Sequence, residues 1–162
     1  MTAQKDFATL IRAFAQVRKQ YKARLMILGE GKEQTALKTL VEDFDLTEDV
    51  AFPGFVDNPY SYMARAGVLV LSSAWEGFGN VLVEAMVAGT PVVSTDCESG
   101  PAEILAQGKY GKLVPVADSQ AMAEAILATL TETANPEFLK QRAMEFSLEN
   151  SVCQYLRILR MD

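Results

Sequence analysis

Apolar residues recur along this chain at two alternating spacings. Phe7, Leu10, Ile11, Phe14 and Val17 lie three and four positions apart, which predicts an amphipathic helix. The run Leu25-Met26-Ile27-Leu28 follows and is closed by Gly29-Glu30-Gly31, a short strand and its turn. Leu37, Leu40 and Val41 mark a second helix, and Val50-Ala51-Phe52 a strand ended by Pro53-Gly54. A short helix over Pro59 to Ala66 carries Tyr62 and Met63, and Val68 to Leu71 is a strand apolar on both faces. Val81 to Ala88 is helical with Gly89 as its stop, and Pro91 to Thr95 is a strand. Leu113-Val114 makes the last strand, and Met122, Ile126, Leu127 and Leu130 are spaced for another helix. Two more helices follow from Pro136, bearing Phe138, Leu139, Phe146, Leu148, Tyr155 and Leu159.

Short strands buried on both faces, alternating with helices, predict an α/β domain with a Rossmann-like, doubly wound parallel sheet. No repeat, low-complexity tract or linker interrupts residues 1–162, so they form one domain. Only Met1 to Gln4 precede the first helix, whereas such a unit ordinarily opens on a strand whose loop shares in the ligand site. The expectation is that a first strand, and a domain ahead of it, are missing.

The densest chemistry lies between Val68 and Asp96. Gly77 and Gly79 bracket Phe78, and Asn80 stands where a helix N-cap is wanted. A glycine loop running from a strand end into a helix offers free N–H groups and a positive dipole end, a diphosphate site. Glu76 and Glu84 flank it eight positions apart. About one turn into the helix, Glu84 can reach back to accept hydrogen bonds from a ribose diol, while Glu76 is placed for hydroxyls beyond the phosphates. Without a ligand, an acid early in a helix still favours the macrodipole and a loop glutamate is merely solvated, so spacing alone leaves both readings open. Lys5, at the start of the first helix, opposes the dipole unless an anion answers it; the alternative is a surface lysine offset by Asp6.

Composition narrows the chemistry. Fifteen basic against twenty-one acidic residues give a net charge of −6, which disfavours nonspecific nucleic-acid binding. The chain has no histidine, which removes histidine bases, triads and the common zinc sites. Two cysteines, Cys97 and Cys153, fit a reducing compartment, and with no signal peptide or long apolar run the expected location is the cytoplasm. Cys97 reads as a small buried or loop residue rather than a nucleophile, and Glu103 as support for a helix opened by Pro101. Tyr60 and Tyr62 could stack on a base, packing being the better reading for Tyr62, and Gly29-Glu30-Gly31 could approach a nucleotide or be simply a tight strand–helix turn.

Taken together, the segment from Glu76 to Glu84 in its setting SSAWEGFGNVLVEAMVAGTPVVSTD resembles the acid–seven–acid motif of glycosyltransferase family 4, retaining enzymes of GT-B fold. The likeness extends to QKDFATLIRAFAQV, LMILGEGKEQTAL, VAFPGFVDNPYSYMARAGVLVL, SGPAEIL and YGKLVPV, in the family's order. The resemblance implies the C-terminal, donor-binding half of a GT-B transferase, with the acceptor domain and an arginine-bearing first strand absent. It implies that Glu84 binds the ribose and that Glu76 contacts the transferred sugar with a catalytic part. The backbone of Gly77, Phe78 and Gly79 would face the sugar, with Asn80 and Val81 at the phosphates, Lys5 on the diphosphate, and Phe55 and Val56 lining the nucleobase. The reaction implied is hexosyl transfer from a nucleotide diphosphate sugar, a UDP-sugar in the first instance, to a glycan or lipid-linked glycan, as in polysaccharide biosynthesis. It needs no cofactor and no metal, because the Lys5 charge and the helix dipole at Asn80 would stabilise the leaving diphosphate. The full enzyme would work in the cytoplasm or at the inner face of the membrane. The alternative is a non-catalytic nucleotide-sugar binding module, or one part of a split protein. A receiver-like domain lacks its acidic cluster here, and an epimerase of the same plan would want histidine.

Overall fold

The computed structural model describes residues 1–159, and it opens on a cap. Asp6 adopts a left-handed conformation (φ 40°), ends a 3-10 turn over Ala3–Lys5 and accepts a hydrogen bond on Oδ1 from the Thr9 N–H at 3.2 Å. That capping starts α1 (Phe7–Arg18). There follow β1 (Leu25–Leu28), α2 (Gln34–Asp43), β2 (Val50–Gly54), α3 (Tyr60–Met63), β3 (Leu69–Leu71) and α4 (Asn80–Val87). Then come β4 (Val92–Thr95), α5 (Pro101–Ile104), β5 (Lys112–Val114), α6 (Ser119–Thr131), α7 (Pro136–Met144) and α8 (Leu148–Leu159).

Among the described residues all strand pairs are parallel; β3, β4 and β5 are covered on both faces, whereas β1 and β2 turn Met26, Ala51 and Pro53 to solvent. In β4, Val93 joins the core under α1, α2 and α6, while its neighbour Val92 joins the core with Leu82, Met86, Ile104 and Leu139 of α4, α5 and α7. Val70 and Val114 turn to the first cluster, Leu69, Leu71 and Leu113 to the second, the alternation a pleated strand imposes. This is the doubly wound layering the apolar pattern predicts. Helix α4 ends as expected: Gly89 (φ 79°) donates to Met86 O and Thr90 to Ala85 O, a Schellman closure that turns the chain into β4.

The hydrogen-bonded ladder is in two pieces rather than one. β1 pairs with β2, and β3-β4-β5 form the other piece; among the described residues no ladder joins β1 to β3. Counted behind an additional leading strand, the order would be 3-2-1-4-5-6, so the break falls at the place the expected first strand would take. Residues 1–5 cross the loops at the strands' C-terminal ends. The Met1 amino group donates to Glu30 O beyond β1, and Gln4 O accepts from Ala74 N–H at 2.8 Å beyond β3. Among the described residues no helix is long and apolar enough to cross a membrane. Helix α8 buries none of its residues.

Candidate functional site

The loop from Ser72 to Gly79 leaves β3 and feeds α4. Gly79 is the N-cap (φ 93°), and Asn80 is the first helical residue, one place later than its expected capping role. The positive φ explains the difference, since glycine takes that conformation without a Cβ clash and asparagine would take it only at a cost. No side chain caps α4 and its first turn holds no acid. Leu82 N–H donates to Gly79 O at 2.9 Å, but among the described residues the N–H groups of Asn80 and Val81 have no acceptor. A Cβ on Gly77 would meet nothing, and its φ is not positive, so the fold itself makes no demand for glycine there; the room left by the missing side chain is toward solvent.

Lys5 ends the 3-10 turn instead of starting α1, because Asp6 is consumed as the cap of that helix. Its partner is therefore not Asp6 but Glu76, with Nζ 2.6 Å from Oε1. The side chain of Glu76 is 9% exposed and that of Lys5 37%. Glu76 Oε1 also accepts from Ser73 Oγ at 2.6 Å. The sequence-predicted lysine and first acid are thus joined across 71 positions of chain. Glu84 stands half-buried on α4, and among the described residues its carboxylate forms no ion pair or hydrogen bond. A partly buried acid without a protein partner is an open acceptor.

Hydroxyls beneath the loop hold it in place, and they were not singled out from sequence. Ser72 Oγ donates to the Lys5 carbonyl at 2.7 Å, and fully buried Thr95, at the end of β4, donates to the Ser73 carbonyl at 2.6 Å. Their only sequence signal is a Ser-Ser pair and a threonine directly after apolar strands, which ordinary strand ends share. Gly100 is the other missed residue: a Cβ there would lie 1.8 Å from Phe78 O, so the loops after β3 and β4 touch backbone to backbone. From the far side, Phe146 meets Phe78 edge-on at 5.6 Å. Arg142 lies over Phe146 while its guanidinium donates to Ile104 O and Glu103 O, capping α5. Pro101 opens α5 and Glu103 sits in its first turn, as expected.

Phe55 follows β2 and is 77% exposed, with Val56 half-buried beside it. In α3 the buried residue is Met63; Tyr62 is 37% exposed and Tyr60 more open still. Cys97 is buried, and burial first, then the charges of Glu76 and Asp96, push its thiol up, partly offset by its polar neighbour Thr95. A raised thiol makes a poor nucleophile, which agrees with the packing reading. Among the described residues no three His, Cys, Asp or Glu side chains converge as a metal site. Two concavities of about 330 and 340 Å³ lie away from this loop, at the β4–β5 base beside Tyr110 and Phe138 and between α1 and α2. On the loop itself Trp75 and Gly77 are exposed, as is Asn80 at the start of α4.

Residues 1–132 match the family model described as Glycosyl transferases group 1. The chain is 36% identical over 139 residues to an N-acetylgalactosamine-N,N'-diacetylbacillosaminyl-diphospho-undecaprenol 4-alpha-N-acetylgalactosaminyltransferase of Campylobacter jejuni, covering 86% of this chain and 38% of that protein. It is 35% identical over 160 residues to the lipopolysaccharide core biosynthesis glycosyltransferase LpsE of Rhizobium meliloti, covering 96% of this chain and 46% of LpsE. Among solved structures, HepE of Anabaena in complex with UDP and glucose matches with a TM-score of 0.87 at 26% identity, over 100% of this chain and 46% of HepE. A TarM variant of S. aureus, in complex with Fondaparinux, alpha-GlcNAc-glycerol and UDP, matches with a TM-score of 0.89 at 25% identity, over 97% of this chain and 33% of TarM. The chain spans less than half the length of each of these relatives.

Proposed function

The chain belongs to the glycosyl transferases group 1 family, and from that premise we propose that it is the donor half of a retaining hexosyltransferase that takes a UDP-sugar. One observation carries the reading: Lys5, from the N-terminal 3-10 turn, pairs with Glu76 on the loop that feeds α4, whose N-terminus no side chain caps. Carboxylates are poor neighbours for a diphosphate unless they are neutralised or turned elsewhere. Lys5 answers this, because an ammonium has three donors and Glu76 takes one, leaving two for phosphate oxygens. The N–H groups of Asn80 and Val81 and the α4 dipole face the same anion.

As the bond from the sugar's anomeric carbon to the diphosphate breaks, its electron pair goes to the leaving UDP. Lys5 and the α4 amides stabilise that growing charge where it forms, and the step needs no metal. Glu84 accepts from the ribose diol, Glu76 from a hydroxyl of the transferred sugar, and Gly77 leaves space for the sugar to approach the backbone. Phe55 and Val56 line the base. The UDP bound in the HepE and TarM structures supports uridine, and the lipid-linked diphosphate named for the Campylobacter relative supports a lipid-linked glycan acceptor. An open face becomes a cleft only against a second surface, and we assign that surface and the acceptor to an N-terminal domain. The transfer then takes place in the cytoplasm, at the inner face of the membrane.

Calorimetric titration of the chain with UDP, GDP, ADP and UDP-glucose, repeated on Glu84→Ala, tests the reading. Uridine-selective binding that weakens at least about tenfold in the variant is expected, the loss for a hydrogen-bonded charge. Affinity unchanged by Glu84→Ala, or no nucleotide bound at all, would overturn it.

A further inference from the structure

We propose that Ser73 is a positioning residue for the donor sugar, acting through Glu76; the inference rests on the donor reading above. Glu76 uses its two oxygens differently. Oε1 is saturated from inside, by Lys5 Nζ and Ser73 Oγ, both at 2.6 Å. Oε2 has no protein donor among the described residues and is not sealed from solvent. One contact would let the carboxylate rotate about its last torsion. Lys5 cannot fix that torsion alone, because its own flexible stem is over a third exposed. Ser73 can: it is 0% exposed, and its carbonyl is held by Thr95 Oγ1 at 2.6 Å. The second, rigid donor sets the plane of the carboxylate and turns Oε2 outward as a fixed acceptor for a hydroxyl.

The adjacent serines divide the work. Ser72 Oγ holds the Lys5 carbonyl at 2.7 Å, and the Ala74 N–H holds that of Gln4 at 2.8 Å, so the segment bearing the ammonium is anchored to the same loop. Ser73 holds the carboxylate end of the pair. The ligand class recognised at Oε2 is a neutral polyol, since a charged carboxylate accepts from hydroxyls and repels anions, and Lys5 keeps the diphosphate apart from it. Ser73 itself touches no ligand. Its part is to convert a loop glutamate into an aimed acceptor.

A double-mutant cycle on Lys5 reactivity tests this without any ligand. The chain, Ser73→Ala, Glu76→Gln and the double variant are acetylated under limiting reagent, and Lys5 labelling is read by mass spectrometry against exposed Lys22 and Lys32. Glu76→Gln should raise the relative Lys5 rate about fivefold or more and Ser73→Ala about twofold, with Ser73→Ala adding nothing once Glu76 is Gln. Ser73→Thr, which keeps the hydroxyl, should return the rate to that of the parent. Effects that multiply in the double variant, or a Lys5 rate indifferent to Ser73→Ala, would overturn the proposal; a fold made generally loose would show as an equal gain at Lys112, which is paired with Glu132 elsewhere, and that also counts against it. A second arm compares UDP with UDP-glucose by calorimetry. Ser73→Ala should weaken UDP-glucose about tenfold more than UDP. If the parent chain binds neither, the donor reading fails, while the labelling cycle still decides whether Ser73 holds Glu76.

Discussion

Replacing Gly100 by alanine forces two backbone segments apart. The new Cβ would stand 1.8 Å from Phe78 O, 2.4 Å from its carbonyl carbon and 2.7 Å from its Cα. An ordinary contact begins near 3.4 Å, so the oxygen must retreat by 1.6 Å (3.4 less 1.8). Backbone atoms have no rotamer to escape into. The conformation of Gly100 (φ 92°, ψ −65°) adds strain of its own, of order 1–3 kcal/mol for a residue with a Cβ. Overpacking contributes about as much again, so Gly100→Ala should destabilise the chain by about 2–6 kcal/mol. Urea unfolding can be followed through Trp75, the single tryptophan, which sits in the loop being pushed. The same retreat carries Gly79 and the amides of Asn80 and Val81 with it. A misplacement of about 1 Å can cost on the order of a hundredfold at a reacting centre, so UDP affinity should fall at least tenfold. A stability change below about 0.5 kcal/mol, with Trp75 emission and UDP binding unchanged, would refute the argument that these two loops are locked together.

Thr95→Val keeps the side chain's shape but leaves the Ser73 carbonyl unpaired in a buried place, and should cost about 1–3 kcal/mol in urea unfolding; a neutral result would mean the Thr95–Ser73 bond carries no net stability. Asp118 caps α6 by accepting from Ala121 N–H at 2.9 Å, so Asp118→Ala should lose about 1 kcal/mol in the same assay. Burial holds the Cys97 thiol above its ordinary 9.0, so the unfolded chain ionises first; the stability Cys97 contributes is complete below pH 9 and falls as pH rises past it. With a thiol reagent at pH 8, exposed Cys153 should react fast and Cys97 only on unfolding, while Glu76→Gln should lower the pH at which Cys97 titrates; two equally fast thiols would contradict this. Ending the chain after Ser147 removes a helix with no buried residue and with Leu148, Tyr155, Ile158 and Leu159 exposed, so the melting temperature should hold while self-association by light scattering declines.

What the sequence made legible is what local periodicity encodes. The helix over Phe7 to Arg18 buries Leu10, Ile11, Phe14 and Val17, the residues whose spacing announces it. The strand Val92–Thr95 is buried at every position, as a run without polar alternation requires. The loop and its two acids were visible because glycines and carboxylates are conspicuous between apolar runs. The rest depends on distance in space. Lys5 and Glu76 lie 71 residues apart, and only the fold shows that the lysine's counter-ion is the first acid itself. Asp6 looked like a partner for Lys5 because it is adjacent, yet a left-handed backbone turns it into the cap of α1. Asn80 looked like a cap because of its side chain, but the position demanded a positive φ and Gly79 took it. Ser73 and Thr95 carry no pattern at all, since a hydroxyl at a strand end is informative only once its acceptor is known.

The break between β1 and β3 gives two strands in the middle of the strand order the chemistry of edges. Leu25 and Gly29 donate toward the β2 side and Leu69 toward the β4 side, so alternation turns the amides of Met26, Leu28 and Val70 to the flanks that no ladder covers. The Met26 side chain, on the sheet face that neither core cluster covers, is 54% exposed as well. Amide exchange should therefore run against depth: Met26, Leu28 and Val70 should trade their protons faster than the residues of β4, which is paired on both sides. Those unladdered amides lie in the middle of the strand order, where an extended segment could register against both flanks at once.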